Sequence, residues 1–331
     1  MTDPHLKTRR PPNPFLETLI TPFRYSMMAK RWPSAFLMHR NPYFLIHLCV
    51  LLWGFTAILG KLITLSAIPL VFWRVLIVSL CLFFWLPVWR QLARMTRRDL
   101  GVTVLNGAVI TVHWLFFYGA IKAANASVAA TCLALAPVFL SIIEPLWRKQ
   151  PFVARDLLIA VIALPGVALV VGGIPAGMMS GLFYGVMAAL FAAVFSLISK
   201  GLAMRVPALC LTTVQMSTGT LMLGLLIPFW PLLGDSFSLP QQQDLFWLVI
   251  LAIACTLVPF TLANVALRKI SAFSVQLAVN LEPVYTILLA AILLGEGAEL
   301  GWTFYAGVAL ILGAVLWHVR LHRQAAVPIP A

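Results

Sequence analysis

The chain has 331 residues, of which 62% are hydrophobic and only 10% charged, with a mean hydropathy of +0.97. Soluble domains carry about 25% charged residues, so this composition excludes an ordinary soluble globular protein and describes a chain threaded repeatedly through a membrane. A net charge of +13 would suggest a nucleic-acid partner in a soluble protein; here the cations lie in short loops between apolar runs, so lipid is the expected partner and nucleic acid is not.

Residues 1–41 differ in kind. They hold seven Lys/Arg and several prolines but no long apolar run, and they lack the apolar core and small-residue cleavage site of a signal peptide. A disordered, basic, cytoplasmic arm lying against anionic headgroups is the expectation, with Met38 an alternative start just before the first apolar segment. Cys49, Cys81, Cys132, Cys210 and Cys255 all fall inside apolar runs without CxxC spacing and read as small core residues, not as disulfides or metal ligands.

Ten apolar segments follow, near 43–63, 69–89, 100–121, 125–146, 154–174, 180–201, 209–231, 244–267, 271–294 and 300–320. A hydrocarbon core of roughly 30 Å takes about 20 helical residues to cross. The fold class predicted is therefore an all-α polytopic membrane protein with ten transmembrane helices and a short tail, 321–331. With the N-terminus in the cytoplasm, alternation puts twenty Lys/Arg on the cytoplasmic side: the arm, Arg90–Arg98, Arg148–Arg155, Lys200 with Arg205, Arg268 with Lys269, and Arg320 with Arg323. Only Lys122 falls outside. That bias fixes the orientation, both termini inside, and supports the count of ten.

Ten spans divide into two halves of five, 42–175 and 176–320. An odd number per half requires any internal repeat to be inverted in the membrane. Traces of a repeat are legible. Ala126-Ser-Val followed by Pro137-Val138 echoes Phe273-Ser-Val followed by Pro283-Val284, and Trp53…Lys61 has a counterpart in Ala192…Lys200. Glu144-Pro145 echoes Glu282-Pro283 at a different offset, and the Pro137/Pro283 register is preferred because Ser-Val also falls nearly into line.

The order of these features resembles the drug/metabolite transporter superfamily, specifically its EamA-type ten-helix members. The residues that carry the likeness are Trp53-Gly54…Lys61, Pro69…Arg74, His113-Trp-Leu-Phe-Phe-Tyr-Gly-Ala-Ile121, and Asn280-Leu-Glu-Pro-Val284…Leu294-Gly-Glu296. They cover roughly residues 43–320. One departure stands out: where the family's first half usually has Gly-Glu after the fourth helix, this chain has Arg148-Lys149-Gln150. The resemblance implies an inner-membrane permease working by alternating access, with a cavity drawn from the first, third, fourth, sixth, eighth and ninth helices. It implies a small organic cargo such as an amino acid or related compound, with export common among members. It does not decide between monomer and homodimer.

Among the ten acidic residues only Glu144 and Glu282 lie within spans away from their first residues, where Asp156 and Asp244 stand. An intramembrane aspartyl protease needs two facing aspartates, a prenyl-transferring enzyme needs an Asp-rich magnesium site, and ATP hydrolysis needs a GxxxxGK[ST] loop; none is present. No catalytic residue, metal or cofactor is expected. The alternatives to transport are a membrane scaffold or lipid-binding subunit, in which Glu282 is dispensable, and a lipid enzyme, for which no catalytic cluster can be found.

Glu282 lies halfway along the ninth segment, where a carboxyl is costly. It is read either as a proton carrier, loading on one side and releasing on the other, or as a neutral brace for the break at Pro283. His113, at similar depth, is its candidate proton partner or a donor to substrate, or a satisfied core histidine. Trp53, Trp114 and Tyr285 could form an aromatic wall. Gln276 and Asn280, four apart and on one helical face, are candidates to line a path or to tie helices together. Lys61 and Arg74, assigned to the outer ends of the first two spans, either snorkel to headgroups or form a cationic outer vestibule for carboxylate-bearing substrates. Glu144 is expected to pair locally with Arg148. Pro137 and Pro283 are the expected hinges.

Overall fold

The computed structural model describes residues 41–149, 151–152, 165–166, 169–170, 172–279, 281–298 and 300–325. Among these the secondary structure is entirely helical. Six helices are long and apolar enough to cross a membrane, and a seventh qualifies if one sharply bent pair is counted as a single span. The arm before residue 41, most of the fifth apolar segment and the end of the tail lie outside the described residues.

Helix α1, Pro42–Leu62, opens with Asn41 accepting from the Tyr43 N–H at 3.0 Å and Pro42 at the first position, where a missing N–H costs nothing. Helix α2, Ala67–Phe83, stops short of the predicted 89: Pro87 cannot continue it, and the chain turns 90° into the short α3, Leu86–Leu92. Helix α4, Arg97–Ala123, starts with a reciprocal cap, the Thr96 hydroxyl accepting from the Asp99 N–H and donating to its carboxylate.

Helices α5, Ala126–Leu133, and α6, Ala136–Arg148, form one span broken at Ala134-Leu135. Helices α7, Met179–Ala203, and α8, Ala208–Leu225, follow. The seventh segment, predicted helical to 231, loses its α-helix at Leu225 and tightens into a 3₁₀ stretch over Ile227–Leu233, because Pro228 and Pro231 remove two of its donors. Helix α9, Gln242–Ala252, continues through a π-helical turn, Ile253–Leu257, into α10, Val258–Ala266. Then come α11, Ala272–Val279, α12, Glu282–Leu293, and α13, Trp302–Ala325.

The helix pairs α5–α6 and α11–α12 match in detail. Each has a first piece of eight residues, α5 and α11, and a second piece with proline at its second position, Pro137 in α6 and Pro283 in α12. The residues preceding the second pieces, Leu135 and Leu281, have backbone angles of −79°/−13° and −81°/−13°. After them the chain turns left-handed at Lys149 (φ 53°) and Gly295 (φ 71°). All these pairs are separated by the same number of residues. Where the familiar Gly-Glu is missing from the first half, Lys149 thus adopts the glycine conformation without being glycine.

Side-chain bonds define two ends of the bundle. At one, Lys122 donates to the Ile63 carbonyl at 2.5 Å, and Asp244 accepts from the Thr64 N–H and hydroxyl at 2.7 and 2.6 Å. There Asp235 also accepts from Ser66 and from the Ile68 N–H, capping α2. At the other, Arg268 donates to the carbonyls of Ala203 and Val206, Lys200 donates to those of Leu267 and Ile270, and Arg205 meets Asp99 at 3.4 Å. The Glu144–Arg148 pair expected from the sequence is present at 2.9 Å. Of the cysteines, Cys81 departs from expectation: it is exposed on α2, while the other four are buried, and all are free.

Candidate functional site

Between these ends lies a cavity of about 90 Å³, bounded by α1, α2, α4, α5–α6, α7, α10, α11 and α12. That is room for several water molecules or part of a small organic molecule. Its walls are mostly apolar and aromatic. Phe260 of α10 is the hub, with ring centroids 6.0 Å from Trp53, 5.1 Å from Trp114 and 5.7 Å from Phe195.

Arg74 supplies the cavity's positive charge and is 1% exposed. The expectation placed it with Lys61 at an outer mouth; the structure separates the two. Lys61 is exposed at the end of α1, whereas Arg74 lies seven residues into α2, about 10 Å along the helix at 1.5 Å per residue, too deep to reach headgroups from that end. Its Nε donates to Thr256 Oγ1 at 2.6 Å, its Nη1 to the Tyr118 hydroxyl at 2.8 Å and its Nη2 to the Cys255 carbonyl at 3.4 Å. The guanidinium carbon lies 4.2 Å from the centroid of the Trp114 ring, a cation–π contact worth about 2 kcal/mol when desolvated.

The π turn explains why those acceptors are available. In a regular helix the Cys255 carbonyl would receive the N–H of the residue four ahead, which is Pro259 and has none. The turn instead pairs the Val258 N–H with Ile253 and the Thr256 hydroxyl with Leu251. The freed carbonyl and the Thr256 oxygen both point to Arg74. π turns of this kind concentrate at functional sites.

Glu282 is 4% exposed and sets its carboxyl in the cavity from the first residue of α12. No described residue donates a hydrogen bond to it, and it makes no ion pair with Arg74, which lines the same cavity. His113 also lines the cavity; its Nδ1 is 2.8 Å from the Ala188 carbonyl and its ring stacks on Phe117 at 6.0 Å. With Nδ1–H committed to that carbonyl, a neutral ring keeps Nε2 as an acceptor. Among the described residues no three His, Cys, Asp or Glu side chains converge as a metal-binding group.

Of the residues proposed from sequence, Trp53, His113, Trp114 and Glu282 thus share one cavity. Tyr285 does not. It is 37% exposed and its Cβ is tucked against Gly54 of α1, while Thr286, one turn on from Glu282, takes the inward position and donates to the Gly54 carbonyl. Asn280 lies outside the described residues, and so does the Gln276 side chain, although its neighbours Val275 and Val279 line the cavity. Sequence reasoning missed Phe260, Tyr118 and Thr256. The signals available were Pro259 inside an apolar run and a solitary Arg deep within another.

The model of the EamA-like transporter family matches residues 40–172 and 179–320. A solved crystal structure is similar to this chain with a TM-score of 0.61 and 18% identity, over 86% of this chain and 99% of that one; at that identity the likeness concerns the fold. No curated protein matches.

Proposed function

The chain belongs to the EamA-like transporter family, and from that premise we propose that it is a secondary transporter of the inner membrane that exports a small organic metabolite, such as an amino acid or related compound, by proton-coupled alternating access. The observation that carries this reading is the cavity itself. It encloses a guanidinium and a carboxyl that do not bond to each other, between aromatic walls. Arg74 has five N–H groups and spends three on protein acceptors. The remaining two can take a substrate carboxylate while the aromatic residues hold an apolar body. Glu282 then receives the substrate's amine or a proton, and His113 offers Nε2.

Ten helices in two inverted five-helix repeats account for the bonding pattern. The end of α4 ties back to the end of α1 through Lys122, and the end of α10 ties back to the end of α7 through Arg268. Yet Asp99 at the start of α4 and Asp244 at the start of α9 occupy opposite ends of the bundle, each holding a loop of the other half. Related helices running in opposite directions produce that exchange. The basic end with Arg205, Lys200 and Arg268 is then cytoplasmic, and the breaks at Pro137 and Pro283 serve as hinges.

The test uses purified protein in liposomes with a pH gradient and a pool of labelled amino acids, comparing wild type with Glu282→Gln. Gradient-driven accumulation that disappears in the folded mutant is expected. Accumulation that survives would make Glu282 structural and remove proton coupling from this site.

A further inference from the structure

Outside the cavity, the most unusual polar feature is a buried seam where α4, α7, α8 and α10 meet. On α4 the residues Asp99, Thr103, Asn106 and His113 follow one helical face from the basic end of the bundle to the cavity. Asn106 is fully buried; its Nδ2 donates to Ser199 Oγ at 2.8 Å, and its Oδ1 finds no partner among the described residues. Gln215 of α8 is fully buried too, and neither its Nε2 nor its Oε1 has a partner among the described residues. The two residues sit at one level of the helix pair, because a Cβ at Gly107 would fall 2.9 Å from the Gln215 Cα and carbonyl oxygen.

From this point two short polar routes lead to the cavity. One runs through Ser199 to Ser196, a turn away on α7; the other runs from Gln215 to Thr212, a turn away on α8, which accepts from Asn264 at 3.5 Å. Ser196 and Asn264 both line the cavity. Toward the other side, Thr103 donates to the Asp99 carbonyl, and Asp99 meets Arg205. In a membrane interior, buried amide groups without partners are costly. They persist where a water with about two to four polar partners can satisfy them.

We propose that Asn106 and Gln215 hold internal water and form the middle of a hydrated path that delivers protons from the Asp99–Arg205 end to Glu282. The path rests on the proton-coupled reading of the cavity. Proton transfer along it conserves bonds: each water oxygen gains one hydrogen and releases another, His113 Nε2 takes up a proton and gives it up again while Nδ1–H stays on the Ala188 carbonyl, and the last proton is held by the Glu282 carboxylate. Glu282 shares the cavity with Arg74 of α2 and His113 of α4, and Tyr118 of α4 lies near enough to interact with it. Helices α1, α5, α10 and α11 bring no charged side chain to it among the described residues. His113, at the end of the α4 face, is the residue best placed to pass the proton.

The experiment needs no substrate. The full chain is placed in liposomes selected for the orientation with the Asp99 end outward, and the outer pH is dropped suddenly. Protonation of the Glu282 carboxyl is followed by infrared difference spectroscopy, with Glu282→Gln assigning the band. Wild type should gain the band, and Asn106→Leu/Gln215→Leu should gain it at least tenfold more slowly. Gln215→Met alone, close in shape, should show an intermediate rate, which guards against a misfolded double variant. An unchanged rate in both variants overturns the path and leaves the coupled reading standing. A wild-type protein that never gains the band overturns both.

Discussion

Arg74 and Glu282 share a cavity without forming a salt bridge. Arg74 is held by Thr256, Tyr118, the Cys255 carbonyl and the Trp114 ring instead. A direct pair would neutralise the cavity and leave nothing for a ligand. Held apart, the guanidinium and the carboxyl keep bonding capacity that the proposed amino-acid substrate would use. Removing either charge should therefore hurt binding, not folding alone.

Arg74→Lys is not a conservative change here. An ammonium cannot meet Thr256, Tyr118 and Cys255 together, nor lie flat on Trp114. Loss of one charge-assisted hydrogen bond costs about 1.5–3 kcal/mol. Arg74→Lys should lower uptake of labelled amino acids at least tenfold in liposomes, with protein yield largely kept. Uptake within twofold of wild type would place the substrate elsewhere.

Pro259→Ala restores an N–H that can claim the Cys255 carbonyl. The π turn should then relax toward regular helix and release Arg74 from one of its acceptors. Thermal stability is expected to rise or hold while transport falls, a split that melting curves and flux measurements read together. A fall in both would mean that Pro259 is needed for packing.

Lys149 holds a left-handed backbone that costs a non-glycine residue about 1 kcal/mol. Lys149→Gly should stabilise the protein by roughly that amount, and Gly295→Ala should destabilise it by a similar one. Melting temperatures of the two variants in detergent must move in opposite directions; a shift of both in the same direction removes the argument.

Trp53 and Tyr285 separate wall from surface. Trp53→Ala opens the aromatic wall beside Phe260 and should reduce transport severalfold. Tyr285→Ala removes a ring that is partly exposed and should leave transport near wild type, measured in the same liposome assay.

Much of this architecture is legible in the sequence because membrane helices are read from apolar length alone. Seven of the ten apolar segments coincide closely with described helices or helix pairs, the second and seventh end early at prolines, and the Pro137/Pro283 register reappears as matching backbone angles at Leu135 and Leu281. The fourth and ninth segments read as single spans hinged at Pro137 and Pro283, and each is two helical pieces, because a proline at a second-piece start deprives the turn before it of a donor. The site was half legible. Glu282, His113, Trp53 and Trp114 stand out by type and depth. Arg74 was assigned to the wrong environment because hydropathy says where a charge sits along a helix and nothing of the helix opposite. The π turn that receives it depends on a missing hydrogen bond, and Pro259 was the one visible trace of that.

The acids of the second half have a consequence for how the protein is made. Asp235 caps α2, Asp244 holds Thr64, and Glu296 accepts from the Ala126 and Ser127 N–H groups at the start of α5. All three serve backbone groups that leave the ribosome first. Until the second half has been made these acceptors are absent, so the early helix starts take their final bonds only after the later chain arrives. The two halves, encoded as one chain, are always supplied in equal number and in order.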